Sequence, residues 1–289
     1  MKFNIAYLGP DHLFNVRRDL ILSIKYSLEE NGHDVVLSGL FIDSSRFNLI
    51  IGGYFIGPKD AAQLIDAGIK FAIVNTEIIA NDLLNHNPDK VDFMGFYLPF
   101  MKAGAFVWDI VIDNMKEHQK YDNSAHFLQL GYLQGLDEID RSRTKEYDYY
   151  FFGLMSPRRI QIINKLDGMG FRGLVDGFCP YFVRNDRIER SKIQLNLIQD
   201  DIYTHVNALR IAYLANNECA ILSEKEDDGA NYLDFATVTE TNAIVDTMTS
   251  MLENDNYLKL GTEKYTEYKK RPMNVFMEEL LEKSFSNKV

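Results

Sequence analysis

Cysteine is nearly missing from this 289-residue chain: Cys179 and Cys219 are the only two. Neither has a CxxC neighbour, which excludes a disulfide framework and a cysteine-based zinc site and predicts two buried, reduced thiols. Basic charge is also short, with 31 Lys and Arg against 42 Asp and Glu and a net charge of −11. That balance argues against a surface coated in positive charge, the usual basis of non-specific nucleic-acid binding. Local patches remain: Arg141, Arg143 and Lys145 in one segment, Arg184, Arg187, Arg190 and Lys192 in a second, Lys264, Lys269, Lys270 and Arg271 in a third. Each is expected to be a solvated face or linker. No apolar run approaches the roughly 18 residues of a membrane span, and the first five residues enter a strand-like pattern directly, so a cytoplasmic location is expected.

Metal-binding patterns are missing too. No two histidines stand at helical metal spacing and no Asp-x-Asp occurs, so a metal is not expected to be required. The doublet Asp200-Asp201 and the acidic run Glu224 to Asp228 are expected to be solvated loops.

What is present is an alternation of short apolar runs with amphipathic stretches. With hydrophobic residues at 46%, the chain has room for about two domains. Phe3 to Leu8 reads as a strand ending at Gly9-Pro10, and a helix is predicted from about His12 to Glu30, stopped by Asn31-Gly32. Val35 to Leu37, Leu49 to Ile51 and Phe71 to Val74 suit buried parallel strands, with Pro58 to Ala67 as a crossover helix. The pattern breaks between Tyr121 and Tyr147, the expected linker. A second series follows: strand 149–152, helix 157–168, strand 171–175, a short helix near 185–191, strand 193–197, helix 205–216 and strand 219–222. A mostly helical tail ends the chain. These expectations make an α/β protein of two Rossmann-like doubly wound domains, 1–140 and 141–289, the second carrying the tail.

The strongest functional signal is Gly153-Leu154-Met155-Ser156-Pro157-Arg158-Arg159. A strand ending in glycine hands over to a proline-started helix with two arginines, a combination chemically suited to a phosphate. Arg210 sits among Ala208, Leu209, Ile211, Ala212, Leu214 and Ala215. A cation in such company either meets an anion in a cleft or forms a buried ion pair, with Glu224 as one partner. Tyr203 and His205 precede the same helix and could meet the ligand, although His205 could equally cap the helix. At the end of the first strand lie Asp11 and His12, each a possible general base, with helix capping the alternative for Asp11. Glu77, at another strand end, is the third base candidate.

Several fragments in order resemble glycosyltransferases of the GT-B fold, particularly a bacterial and phage group related to the spore-maturation glycosyltransferases. They are Asn75-Thr76-Glu77, Val107-Trp108-Asp109 with Asn114, Leu130-Gly131-Tyr132, Asp148 to Gly153 with Arg158-Arg159, Lys192 to Leu197, Leu209-Arg210-Ile211 to Asn217, and Ile221 to Glu224. The resemblance implies two domains facing a cleft. The second would hold a nucleotide diphosphate-sugar, a UDP-sugar foremost, on Gly153, Ser156, Arg158, Arg159, Asn196, Tyr203, His205, Arg210 and Glu224. The first would present an acceptor hydroxyl, with Asp11, His12 or Glu77 as base; Trp108 and Asp109 could line its groove, although a lone tryptophan is more often core. Implied acceptors are a surface glycan or protein, or a hydroxymethylated pyrimidine in phage DNA, in which case the chain would act in the host cytoplasm. Asn207 and Tyr213 stand where relatives carry glutamates, and a non-catalytic nucleotide- or sugar-binding protein is the alternative.

Overall fold

Phe3, Ile5, Ala6 and Tyr7 are all buried on consecutive or alternate positions of one strand, which requires a sheet covered on both faces. The computed structural model, which describes residues 1–87, 91–200, 202 and 204–286, supplies two such sheets in two compact units. The first unit comprises residues 1–130 and 273–289, the second Gly131–Pro272.

In the first unit, β1 (Lys2–Tyr7), β2 (Asp34–Gly39), β3 (Phe47–Ile51) and β4 (Phe71–Asn75) alternate with α1 (Asp11–Glu30) and α2 (Pro58–Asp66). A small antiparallel hairpin, β5 (Ile79–Ala80) and β6 (Leu83–Leu84), precedes α3 (Leu98–Ala103), β7 (Val107–Asp109), α4 (Asn114–Lys120) and β8 (Ala125–Phe127). The sheet is parallel throughout, in the order β2-β1-β3-β4-β7-β8. Strand order reverses between β1 and β3, where Leu8 N donates to Ile51 O at 2.9 Å. Gly52, at φ +75°, lies so close to Gly9 that a β-carbon on it would sit 3.2 Å from the Gly9 nitrogen.

The second unit repeats the plan with β9 (Tyr147–Phe152), α5 (Pro157–Gly168), β10 (Gly173–Asp176), α6 (Tyr181–Glu189), β11 (Ser191–Asn196), α7 (Ala208–Asn216), β12 (Ala220–Glu224) and β13 (Thr237–Thr239). Its order is β10-β9-β11-β12-β13, again all parallel. Helices α8 (Ile244–Leu252) and α9 (Asn256–Tyr268) follow. Tyr149, Phe151, Leu195 and Leu222 from the strands and Leu166, Ile244 and Met248 from the helices form its core.

Two sequence expectations are corrected. The division falls after Leu130 rather than at 140, because Asn216 and Asn217 of the second unit hold the backbone of Leu133, Glu138 and Ile139. The last helix, α10 (Met273–Phe285), belongs to the first unit instead of the second. Its Ser284 accepts the Trp108 indole N–H at 2.8 Å, and its Phe285 ring packs edge-on against Phe3, Phe47 and Phe106. The described residues contain no helix long and apolar enough to cross a membrane.

Candidate active site

In an open parallel sheet, ligands bind beyond the carboxyl ends of the strands where the strand order reverses. In the second unit that point lies between β9 and β11, at Phe152-Gly153 and Asn196. Arg210, on α7, spans it. Its Nη1 donates to Asn196 Oδ1 at 2.9 Å and its Nη2 to the Phe152 carbonyl at 2.7 Å. The guanidinium lies over the rings of Phe151 and Phe152, 5.1 Å from each centroid.

Gly153 makes this arrangement possible. It holds φ +144°, a backbone conformation closed to other residues, and a β-carbon there would come within 2.7 Å of Arg210 Nη2.

Arg210 is only 7% exposed and uses two of the five N–H donors of a guanidinium; Nε is buried with no acceptor. Among the described residues no carboxylate lies within ion-pairing distance of it. Burial, reinforced by the neighbouring Arg159 cation, pulls its pKa down to about 9. Glu226 attracts it only from beyond ion-pairing distance, and a buried cation with spare donors and no contacting carboxylate favours an incoming anion.

The two arginines of the turn behave differently. Arg158 forms a bidentate pair with Glu224, both contacts at 2.7 Å. Glu224 is fully buried and also accepts from Ile198 N and Thr241 Oγ1. Arg159 donates to the carbonyls of Leu197 and Leu154, and burial pushes its pKa down to about 10. Ser156 caps α5 by accepting from Arg159 N, while its hydroxyl donates to Gln199 O. Where the sequence reading had Arg158 or Arg159 offer a fork to a phosphate and Glu224 grip the donor, the three side chains here join α5 to β11 and β12. Nor does Arg210 pair with Glu224, the alternative that its sequence setting left open.

Asn196 ties the site together. Its Oδ1 takes Arg210, and its Nδ2 donates to Ser223 Oγ and to Glu226 Oε2, both at 2.8 Å. Sequence reasoning had placed Glu226 in a solvated acidic loop and missed it. Only its spacing of two residues beyond β12 could have drawn notice, and burial raises its pKa to about 7.

Asn207, rather than His205, caps α7, accepting from Arg210 N at 3.1 Å. His205 instead forms an isolated parallel bridge with Asp227, beside the Thr204 Oγ1 to Asp227 contact at 2.6 Å. Tyr203 lies outside the described residues. Tyr213 is buried, its hydroxyl donating to Asn185 Oδ1 at 2.9 Å under the Arg184 guanidinium, 4.1 Å from its ring centroid.

In the first unit the candidate bases separate. Asp11 and His12 are both exposed in the first turn of α1, beyond the carboxyl end of β1; the helix cap is Pro10, so the capping alternative for Asp11 falls. Glu77 accepts from Arg17, Asn85, Tyr54 (2.7 Å) and Thr76 (2.8 Å). Burial alone would raise its pKa, but Arg17 and these hydrogen bonds outweigh it and hold the carboxyl at about 2. So weak a base is poorly suited to take a hydroxyl proton.

Trp108 and Asp109 are 0% exposed, which corrects their expected place on an acceptor groove. Asp109 is a structural hub, accepting from Asn75 (2.8 Å), Asn114 (2.9 Å), His118 (2.9 Å) and Val111 N (2.8 Å).

Most basic side chains of the first two segments, and Lys270 of the third, are ion-paired. Arg141 meets Asp137 and Glu218, Arg143 meets Asp186 and Glu189, Arg187 meets Asp176, Arg190 meets Glu146, Lys192 meets Asp148, and Lys270 meets Glu267. No group of three or more potential metal-ligating side chains occurs among the described residues.

Two parallel-sheet units of this plan make the GT-B fold. No family model matches the sequence, and no curated protein matches it either. Solved structures do match along the whole chain. An alpha-glucosyltransferase in complex with UDP and a 13-mer DNA superposes with a TM-score of 0.65 at 10% identity, covering 98% of this chain and 99% of that one. A T4 phage BGT in complex with its UDP-glucose substrate gives 0.58 at 13% identity, covering 98% and 99%. A glycosyltransferase involved in avilamycin A biosynthesis gives 0.56 at 11% identity, covering 98% and 97%. The fold expected from the sequence is thus the fold found; the narrower affiliation with spore-maturation enzymes rests on the sequence fragments alone.

Proposed function

We propose that this chain is a glycosyltransferase that moves a sugar from a UDP-sugar to an acceptor hydroxyl. The observation that carries the reading is Arg210: a buried cation without a carboxylate partner, held under a glycine turn at the point where strand order reverses. Its spare donors would take the diphosphate and stabilise the charge that collects on it as the bond from the anomeric carbon to the phosphate oxygen breaks. The acceptor oxygen forms the new bond at that carbon, and its proton passes to a base. Asp11 and His12 retain open side chains for that role, whereas Glu77 is committed to Arg17. Gly153 and Asn196 position the arginine, and Ser156, Arg158, Arg159 and Glu224 hold the surrounding loops.

For the acceptor, a hydroxymethylated pyrimidine in DNA has the stronger support, because solved structures sharing the fold include glucosyltransferases in complex with DNA, one containing an HMU base. Such an enzyme would act in the cytoplasm of the cell that holds the DNA. A non-DNA hydroxyl is the second reading, and the pairing of most basic side chains in the first two segments with acids favours it. A non-catalytic binding protein predicts tight UDP-sugar binding without turnover.

Incubating the protein with a panel of nucleotide-sugars and following slow donor hydrolysis tests the donor half. UDP release that disappears in Arg210→Ala supports the reading; absence of binding and hydrolysis across the panel overturns it. Duplex DNA carrying hydroxymethylated pyrimidines, assayed at low and high salt, tests the acceptor half, since phosphate-dependent binding must weaken with salt.

A further inference from the structure

Glu226 is a carboxyl group placed beside the proposed diphosphate site, where a negative charge would oppose the ligand. Asn196 fixes both partners through one amide: Oδ1 holds Arg210, Nδ2 holds Glu226 Oε2. The second carboxyl oxygen of Glu226 has no hydrogen-bond partner among the described residues, and Glu226 makes no ion pair there. Burial disfavours its charged form, and the nearby Glu224 carboxylate adds to that, while Arg210 and Arg159 oppose it. The charged groups that face it are therefore Arg210 on α7, Arg159 on α5 and Glu224 at the end of β12, with Asp227 and His205 in the adjoining bridge.

We propose that Glu226 is a binding residue of the donor site that meets the diphosphate as a neutral carboxylic acid, so that donor binding is coupled to its proton. The inference rests on the donor-site reading above. Neutral, the carboxyl leaves Arg210 as the dominant charge, and its O–H is a further donor for a diphosphate or sugar oxygen. Ionised, it becomes a competing counter-ion for Arg210 and repels the diphosphate. Binding therefore takes up a proton whenever the free protein holds Glu226 ionised, and affinity falls as pH rises through neutrality.

UDP-glucose suits the test because its diphosphate is esterified at both ends and carries the same charge across the neutral range. Calorimetric titration of the full chain between pH 6 and 8.5 should show the dissociation constant weakening about tenfold for each unit of pH above the carboxyl's own pKa. Titrations in buffers of different ionisation enthalpy should show uptake of a proton near pH 8. Glu226→Gln keeps an oxygen for the Asn196 amide and cannot ionise; it should bind with little pH dependence and no proton uptake. Glu226→Ala, which removes the group, should bind more weakly than the glutamine variant at pH 6. UDP-glucose binding with equal pH dependence in wild type and Glu226→Gln, or with none in wild type, overturns the coupling while leaving the donor site intact. No binding of UDP-glucose or any other nucleotide-sugar at any pH overturns the donor site and the coupling together.

Discussion

Arg210 and Glu77 are both charged side chains taken largely out of water, and their partners give them opposite chemistry. Glu77 has a cation and three hydrogen-bond donors, so it is a permanent anion; Arg210 has two neutral acceptors, so its charge is left to be answered from outside. Arg210→Ala should weaken UDP-sugar binding by tenfold or more, measured by calorimetry, with the folded far-UV spectrum kept. Gly153→Ala should do nearly as much with the arginine still in the sequence, because the new β-carbon would displace Nη2 and force an unfavourable φ. For Glu77 the folded pKa is depressed, so its stabilisation is complete above about 4.5 and is lost as pH falls toward about 2. Unfolding followed across that window should show the acid loss in wild type and a weaker dependence in Glu77→Gln. The sequence carried the identity of Arg210, since a charge in an apolar helix is visible in one dimension. It did not carry the distinction between Arg210 and the Arg158-Arg159 doublet, which depends on Glu224 and on the Leu197 carbonyl, both remote in sequence.

The elements were legible wherever periodicity and end signals agreed. Asn31-Gly32 closes α1, Pro157 opens α5, and the apolar runs of β3, β4 and β12 lie inside sheets covered on both faces. The reading slipped at α7, where apolar spacing extended the helix back to residue 205. The Asn207 side chain accepts from Arg210 N and ends the helix there, so the residues before it are free to bridge to Asp227. Asn207→Ala should destabilise the second unit by about 1 kcal/mol in a denaturant titration. It should also weaken UDP-sugar binding, because the same cap fixes the turn of helix that carries Arg210. Asn207→Asp, which keeps the acceptor, should restore both. Similarly, α6 begins at Tyr181 rather than near 185, started by Pro180.

At the scale of the molecule, the last helix crosses back. Residues 273–289 follow the second unit in sequence and belong to the first in space. Deleting them should expose Trp108 and the Phe3, Phe47 and Phe106 cluster that Phe285 covers. Burial of one such aromatic side chain is worth about 2 kcal/mol, so thermal unfolding should show the first unit strongly destabilised. Tryptophan fluorescence should shift to the red, and the second unit should keep its transition. Equal loss in both units would show that the helix has another role.

The sequence by itself determined two parallel α/β units, a glycine turn before a proline-started helix, and an arginine where apolar neighbours surround it. Those are local facts, because strand and helix periods and the demands of glycine and proline act over a few residues. Only the tertiary structure decided which cations keep a charge to offer, which carboxyl lies beside the donor site, and to which unit the final helix belongs. Ion pairing and burial are sums over neighbours drawn from distant parts of the chain, and no spacing along the sequence reports them.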